Sequence, residues 1–247
     1  MQNRYGSFRL LQEIDMSNLS NLTAAIILAA GVGSRMGCEK TKQTIEIAGK
    51  SVLKHTVLAF DKAKSVDEII VVCRKNETEF VNKELQNTKK KTSVIIGGKN
   101  RAESAIFGFR AISDDVKYVL IHDAARCLIT PDEIDSVAEA CYRFGAATAS
   151  QEVSDTVKLC QDKKIIKTVP RRNLRLMQTP QAFSTEIYAK AIENAAALDE
   201  TVTDDNMLVE NIGISPYCVD TLPTNIKITT SYDLELAEFI LSKRKGN

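Results

Sequence analysis

The stretch Ala24-Ala25-Ile26-Ile27-Leu28-Ala29-Ala30-Gly31-Val32-Gly33 decides the fold. Its apolar run is far shorter than the roughly 20 residues that span a bilayer. A short continuous apolar run closed by glycines reads as a strand buried on both faces. Such strands belong to parallel sheets covered by helices on each side. Working outward, Val52–Ala63 has helical spacing, Glu68–Cys73 is a second apolar strand, and Glu77–Leu85 is a polar helix. Ser93–Ile96 is a third strand, stopped by Gly97-Gly98. Arg101–Ile112 is a helix, Lys117–His122 a fourth strand, and Pro131–Phe144 a helix with proline near its first turn. Ala146–Ser150 is a fifth strand. The alternation predicts an α/β fold with a doubly wound, mostly parallel sheet. Such sheets bind ligands beyond the carboxyl ends of their strands, so functional residues are expected after Ala30, Ile96 and Ile121.

The rhythm changes at Thr156. Thr156–Cys160 and Lys164–Val169 flank a polar turn and read as a β-hairpin arm within about residues 151–175. Helices follow at Thr185–Ala197 and Thr203–Asn211, then a short strand at Tyr217–Val219 and the segment Asn225–Thr229. A closing helix, Ser231–Lys243, has Ser231 as its expected N-cap. Residues 1–22 read as a poorly ordered extension, and 23–247 as a single domain.

Lys and Arg total 33 against 32 Asp and Glu, a net charge of +1. That balance excludes a general nucleic-acid coat. With no Trp and 6% aromatic residues, a base-stacking platform is excluded too. No apolar segment suits a secretion signal or a membrane span. The six cysteines are dispersed, with no CxxC pair, and read as reduced thiols of a cytoplasmic protein.

Several motifs carry chemistry. The glycines of Ala29-Ala30-Gly31-Val32-Gly33 let a polyphosphate approach the backbone. The dinucleotide pattern fails because Met36 stands where glycine is required, and the Walker pattern fails at the same place. Arg35 and Lys42 add cations suited to a triphosphate. Gly97-Gly98, with Arg101 and Ser104, ends the third strand. His122-Asp123-Ala124-Ala125-Arg126 ends the fourth, where Asp123 suits Mg²⁺ held jointly with substrate phosphates. His122 reads as a structural histidine. Pro170-Arg171-Arg172 and Gln178-Thr179-Pro180-Gln181 follow the arm. Thr203-Asp204-Asp205 reads equally as a helix start. Lys227, inside the apolar segment Ile226–Ile228, costs stability unless paired.

In this order the motifs resemble the 2-C-methyl-D-erythritol 4-phosphate cytidylyltransferase family over residues 24–243. The resemblance implies CTP and a polyol phosphate as substrates, a divalent cation such as Mg²⁺, and no covalent enzyme intermediate. It implies Arg35, Lys42 and Lys227 as catalytic cations. Nucleotide contacts fall to Ala29, Ala30, Gly31, Gly33, Gly98, Ser104, Ala124 and Arg126. Asp123, Thr156, Arg171, Thr179 and Thr203 are the substrate-binding set, with Asp123 also the metal ligand. It further implies a homodimer in which the arm carries Thr156 and Arg171 to the neighbouring site. Three positions depart from the family pattern: Thr41 and Cys127 replace prolines, and Lys99-Asn100 replaces a commonly acidic pair. A ribitol- or other polyol-phosphate cytidylyltransferase is the nearest alternative. Such sequences tend to read Ala-Gly-Gly, Asp-Ser-Val-Arg and Thr-Asp-Ala where this chain has Ala29-Ala30-Gly31, Asp123-Ala124-Ala125-Arg126 and Thr203-Asp204-Asp205. A non-catalytic nucleotide binder and a dinucleotide-dependent oxidoreductase are weaker rivals.

Overall fold

In the computed structural model, which describes residues 21–31, 41–195 and 202–245, the opening apolar run forms β1 (Thr23–Leu28), with every residue buried. The expected extension falls almost wholly outside those residues. Short β2 (Glu46–Ile47) and β3 (Lys50–Ser51) pair before α1 (Val52–Lys62). Then come β4 (Glu68–Cys73), α2 (Thr78–Glu84), β5 (Lys91–Ile96), α3 (Arg101–Phe109), β6 (Tyr118–Asp123) and α4 (Pro131–Phe144). β7 (Ala146–Glu152) precedes the hairpin β8 (Val157–Gln161) and β9 (Lys164–Val169). β10 (Arg175–Ser184), α5 (Thr185–Asn194), α6 (Asp205–Glu210), β11 (Tyr217–Asp220) and α7 (Ser231–Lys245) complete the described elements.

Seven strands form one sheet in the order β11-β7-β10-β6-β1-β4-β5. β1 pairs in parallel with both β4 and β6, and β4 with β5. The strand order reverses beside β1, which opens a crevice at the carboxyl ends of β1 and β6. Alternation along each strand builds two cores. Ala25, Ile27, Ile69, Val71 and Leu120 face α1, α2 and α4. Ala24, Ile26, Ile70, Val72, Val119 and Ile121 face α3, α5 and α6. Each fully buried Ile or Leu contributes about 1.5–3 kcal/mol. A third cluster joins Ile47, Val52, Cys127, Leu128 and Ile228 to Ala237 of α7. Cys127 therefore fills a core.

Local chemistry sets the ends of the elements. Thr130 and Glu133 cap α4 reciprocally, with Pro131 in its first turn and Gly145 at φ 79° beyond its end. Removing such a cap costs about 1 kcal/mol. Asp162 (φ 49°) and Lys163 (φ 64°) take the left-handed pair that a tight hairpin turn requires.

The structure corrects the sequence reading at β10, at the start of α6 and at the cap of α7. β10 was read only as a motif, yet it lies between β6 and β7 and runs antiparallel to both. The segment 225–229 is irregular, and the Ile228 N–H bonds the Ala125 carbonyl at 2.8 Å. α6 begins at Asp205 rather than Thr203, within the expected helix start Thr203-Asp204-Asp205, with Asp204 as its cap. Thr230, not Ser231, caps α7: its hydroxyl accepts from Asp233 N at 3.3 Å, and its own N–H donates to the Asp233 carboxylate at 2.8 Å.

Candidate active site

A cavity of about 310 Å³ opens at the carboxyl ends of β1, β5 and β6. Leu28, Ala30 and Gly31 line it where β1 ends, and Lys42 and Gln43 from the turn that follows. Gln43 Nε2 donates to the Ala29 carbonyl at 2.5 Å, fixing the strand exit against that turn. Lys42 Nζ reaches the carbonyls of Ile228 and Thr229 at 3.3 and 3.4 Å. Beyond β5, Gly98, Lys99, Asn100, Arg101 and Ser104 form the opposite wall. Ser104 Oγ accepts from Gly98 N at 3.1 Å and donates to the Asn100 carbonyl at 2.8 Å. Asn100 also caps α3, accepting from Glu103 N at 2.8 Å. Glycine is required at 97 because a Cβ there would stand 2.8 Å from Ala30 Cβ and 2.9 Å from Ser104 Oγ.

Asp123, at the end of β6, is the buried anion of the cavity. Lys227 Nζ lies 2.7 Å from its Oδ2, Arg101 Nε 3.2 Å from its Oδ1, and Arg126 Nε 3.9 Å from its Oδ2. Burial alone would raise its pKa, but Arg101, then Lys227 and Arg126, hold it well below the usual carboxylate range. Arg101 also binds Asp205 at 2.6 Å, and the two carboxylates together raise its pKa despite burial. Behind this network, Thr179 Oγ1 accepts from Asp123 N at 3.1 Å and lies 3.0 Å from His122 Nδ1. His122 Nε2 faces the Arg126 carbonyl at 3.2 Å. A carbonyl only accepts, so Nε2 carries the proton and Nδ1 accepts from Thr179. Burial, the larger effect, pushes the His122 pKa down to about 3, leaving a neutral ring. Asn225 Nδ2 donates to Gln178 Oε1 and to the Thr179 carbonyl, and Arg126 Nη1 donates to the Asn225 carbonyl. The loop bearing Lys227 is thereby fixed to β10.

Of the residues that the resemblance names, Lys42, Lys227, Asp123, Ala30, Gly31, Gly98 and Ser104 line this one cavity. Gly33 and Arg35 lie outside the described residues. Ala29 and Ala124 do not line the cavity: both are buried behind its wall, and Ala125 takes the lining position. Ala124 N donates to the Leu28 carbonyl, and its own carbonyl accepts from Thr56. Arg126 and Thr179 also stand behind Asp123 rather than in the cavity. Thr156 and Arg171 are exposed around the arm, and Thr203 is exposed before α6; none lines this cavity. Sequence reasoning assigned no role to Gln43, Arg101 or Asp205. Arg101 had one local sign, a cation in a helix's first turn, where the dipole disfavours it. Among the described residues no cluster of three or more His, Cys, Asp or Glu forms a metal cage. No helix among them is long and apolar enough to cross a membrane. Cys73, Cys127, Cys141, Cys160 and Cys218 are free thiols.

A mostly parallel α/β sheet thus carries a glycine-walled cationic cavity at its switch point. The family model described as 2-C-methyl-D-erythritol 4-phosphate cytidylyltransferase matches residues 23–243. A protein of that name from Alkaliphilus oremlandii (strain OhILAs) is 38% identical over 234 residues, covering 93% of this chain and 99% of its own. One from Clostridium botulinum (strain Langeland / NCTC 10281 / Type F) is 38% identical, covering 89% and 97%. The crystal structure of 4-diphosphocytidyl-2C-methyl-D-erythritol synthase from Anaerococcus prevotii DSM 20548 superimposes with a TM-score of 0.81 at 29% identity, covering 90% of this chain and 99% of that one. The chain belongs to the 2-C-methyl-D-erythritol 4-phosphate cytidylyltransferase family.

Proposed function

We propose that this chain transfers the cytidylyl group of CTP to 2-C-methyl-D-erythritol 4-phosphate through the cavity around Asp123. A phosphate oxygen of the polyol phosphate attacks the α-phosphorus in line. The bond from that phosphorus to the bridging oxygen of the β-phosphate breaks, and pyrophosphate leaves with the electron pair. The products are 4-diphosphocytidyl-2-C-methyl-D-erythritol and pyrophosphate. Among the described residues no Ser-His or Cys-His pair lines the cavity, which suits direct transfer. Catalysis then rests on positioning and charge stabilisation.

The observation that carries this reading is the set of cations, Lys42, Lys99, Arg101 and Lys227, lining one cavity around a single buried carboxylate. Lys42, with Arg35, holds the triphosphate. Lys227 exchanges Asp123 for the α-phosphate or the attacking phosphate. The backbones of Ala30, Gly31 and Gly98, with Ser104, read the base and ribose. Arg126 and Thr179 act from behind, through Asp123. Thr203 serves the polyol phosphate from the loop just before α6.

One carboxylate already faced by cations on both oxygens does not make a preformed metal cage. It fits a divalent ion that arrives on the triphosphate, with Asp123 as its protein ligand. Mg²⁺ bound there supplies neutralisation of phosphate charge. The arm completes the site in a homodimer. Its exposed Leu159, Ile165 and Ile166 suit burial against a second copy, and Thr156 and Arg171 then serve that copy's cavity. The motif readings at Ala29–Gly31, Asp123–Arg126 and Thr203–Asp205 argue against ribitol 5-phosphate. Pyrophosphate release from CTP, dependent on 2-C-methyl-D-erythritol 4-phosphate, tests the assignment.

A further inference from the structure

Arg101 is the first residue of α3, where the helix carries partial positive charge and a cation is disfavoured. Two carboxylates hold it there, Asp123 at 3.2 Å and Asp205 at 2.6 Å. Asp205 is 1% exposed. Its second oxygen accepts from the Tyr188 hydroxyl at 2.6 Å, and its backbone N–H donates to Gln181 Oε1 at 2.9 Å. A buried ion pair of this kind is weak evidence for stability, because desolvation offsets the attraction. What it supplies is fixed geometry. Asp123 therefore meets Arg101 and Lys227 across the cavity, with Arg126 behind it at 3.9 Å. Arg101 is anchored from behind by a rigid carboxylate, whereas Lys227, with a side chain 43% exposed, sits on a loop and bonds Asp123.

We propose that Asp205 is a positioning residue for the transfer reaction: it pins Arg101 across the cavity floor, so that Asp123 stays fixed and charge-paired when Lys227 leaves it for the substrate's phosphate. The inference rests on the function proposed above. Asp205 touches no substrate; it acts through Arg101 and Asp123.

Steady-state pyrophosphate release by the full chain tests it, with Asp205→Asn, Arg101→Lys and the double variant. Asp205→Asn keeps the size of the side chain and removes its charge. Misplacing a reacting group by about 1 Å costs on the order of 10²-fold, so kcat is expected to fall by that order in each single variant. In Asp205→Asn, KM for CTP stays within about 2-fold, because Asp205 does not line the cavity. Two residues acting as one unit give a double variant no slower than the worse single one. An unchanged kcat in Asp205→Asn, or losses that multiply in the double variant, would overturn the proposal. If Asp205→Asn does not fold, Asp205→Glu, which keeps the charge but displaces it from Arg101, decides: a kcat loss at constant KM for CTP supports the pinning role, and an unchanged kcat refutes it. A wild-type chain that releases no pyrophosphate contradicts the functional reading itself. Turnover by the wild type, with equal kcat in the variants, contradicts only the role of Asp205.

Discussion

Lys227 Nζ stands 2.7 Å from Asp123 Oδ2, although 104 residues separate the two. The pair puts a lysine, costly within an apolar segment, against the buried carboxylate at the end of a central strand. It also defines the resting state of the site: the cation assigned to the phosphate waits on the residue assigned to position it. Replacing either Lys42 or Lys227 by Ala removes one charge-stabilising donor. Turnover is expected to fall ~10²-fold or more in pyrophosphate-release assays. Near-wild-type rates in both variants would refute the roles given to them.

Asp123→Asn leaves Arg101, Arg126 and Lys227 gathered around a neutral group. Removing one partner of a buried ion network costs about 3–5 kcal/mol. Urea denaturation is expected to show a loss on that scale, together with loss of turnover. A variant as stable as the wild type would mean that the network is solvated and that the burial argument fails.

His122 sets a pH dependence of stability. Its folded pKa of about 3 lies below the ordinary value of about 6.5. Between these values the unfolded chain binds a proton that the folded chain does not. Stability therefore falls as pH drops from about 6.5 toward 3, by up to ~1.4 kcal/mol per pH unit. Asp123, whose pKa is depressed, contributes stability above its ordinary value of about 3.9, and that contribution is lost at lower pH. Denaturation midpoints of wild type and His122→Gln between pH 7 and 5 separate the histidine's part. The variant is expected to show the flatter profile; parallel profiles would contradict a buried neutral ring.

Gly97→Ala would drive a Cβ against Ala30 and Ser104, on the nucleotide wall. Overpacking of this kind costs about 1–3 kcal/mol. That is enough to raise KM for CTP ~10-fold if the wall shifts. KM for the polyol phosphate is expected to change less. An unaltered KM for CTP would remove Ser104 and Ala30 from the nucleotide wall.

The arm has a complementation test. Under the proposed arm exchange, Arg171→Ala and Lys42→Ala each damage a different half of a site shared between two subunits. Mixing the two inactive proteins under exchange conditions is expected to restore part of the activity, because some dimers regain one intact site. Verified heterodimers without recovery would place Arg171 at its own subunit's site.

The parallel half of the sheet was legible because its strands are buried on both faces and read as unbroken apolar runs, as in β1 and β4. The hairpin was legible from its polar turn. β10 was not, because Gln178, Thr179, Pro180 and Gln181 look like a loop, and proline argues against a central strand. Those polar side chains are buried and satisfied by long-range partners such as His122, Asn225 and Asp204, which no local pattern reveals. The site residues on strand exits were legible for the same reason as the strands. The Arg101–Asp205 pair, 104 residues apart, was not, because only the fold brings α3 and α6 together.

The most direct test of the account offers the purified chain CTP and Mg²⁺, with 2-C-methyl-D-erythritol 4-phosphate or ribitol 5-phosphate in parallel, and measures pyrophosphate release. The account predicts the higher kcat/KM with 2-C-methyl-D-erythritol 4-phosphate. A higher value with ribitol 5-phosphate, or no release with either, would contradict it.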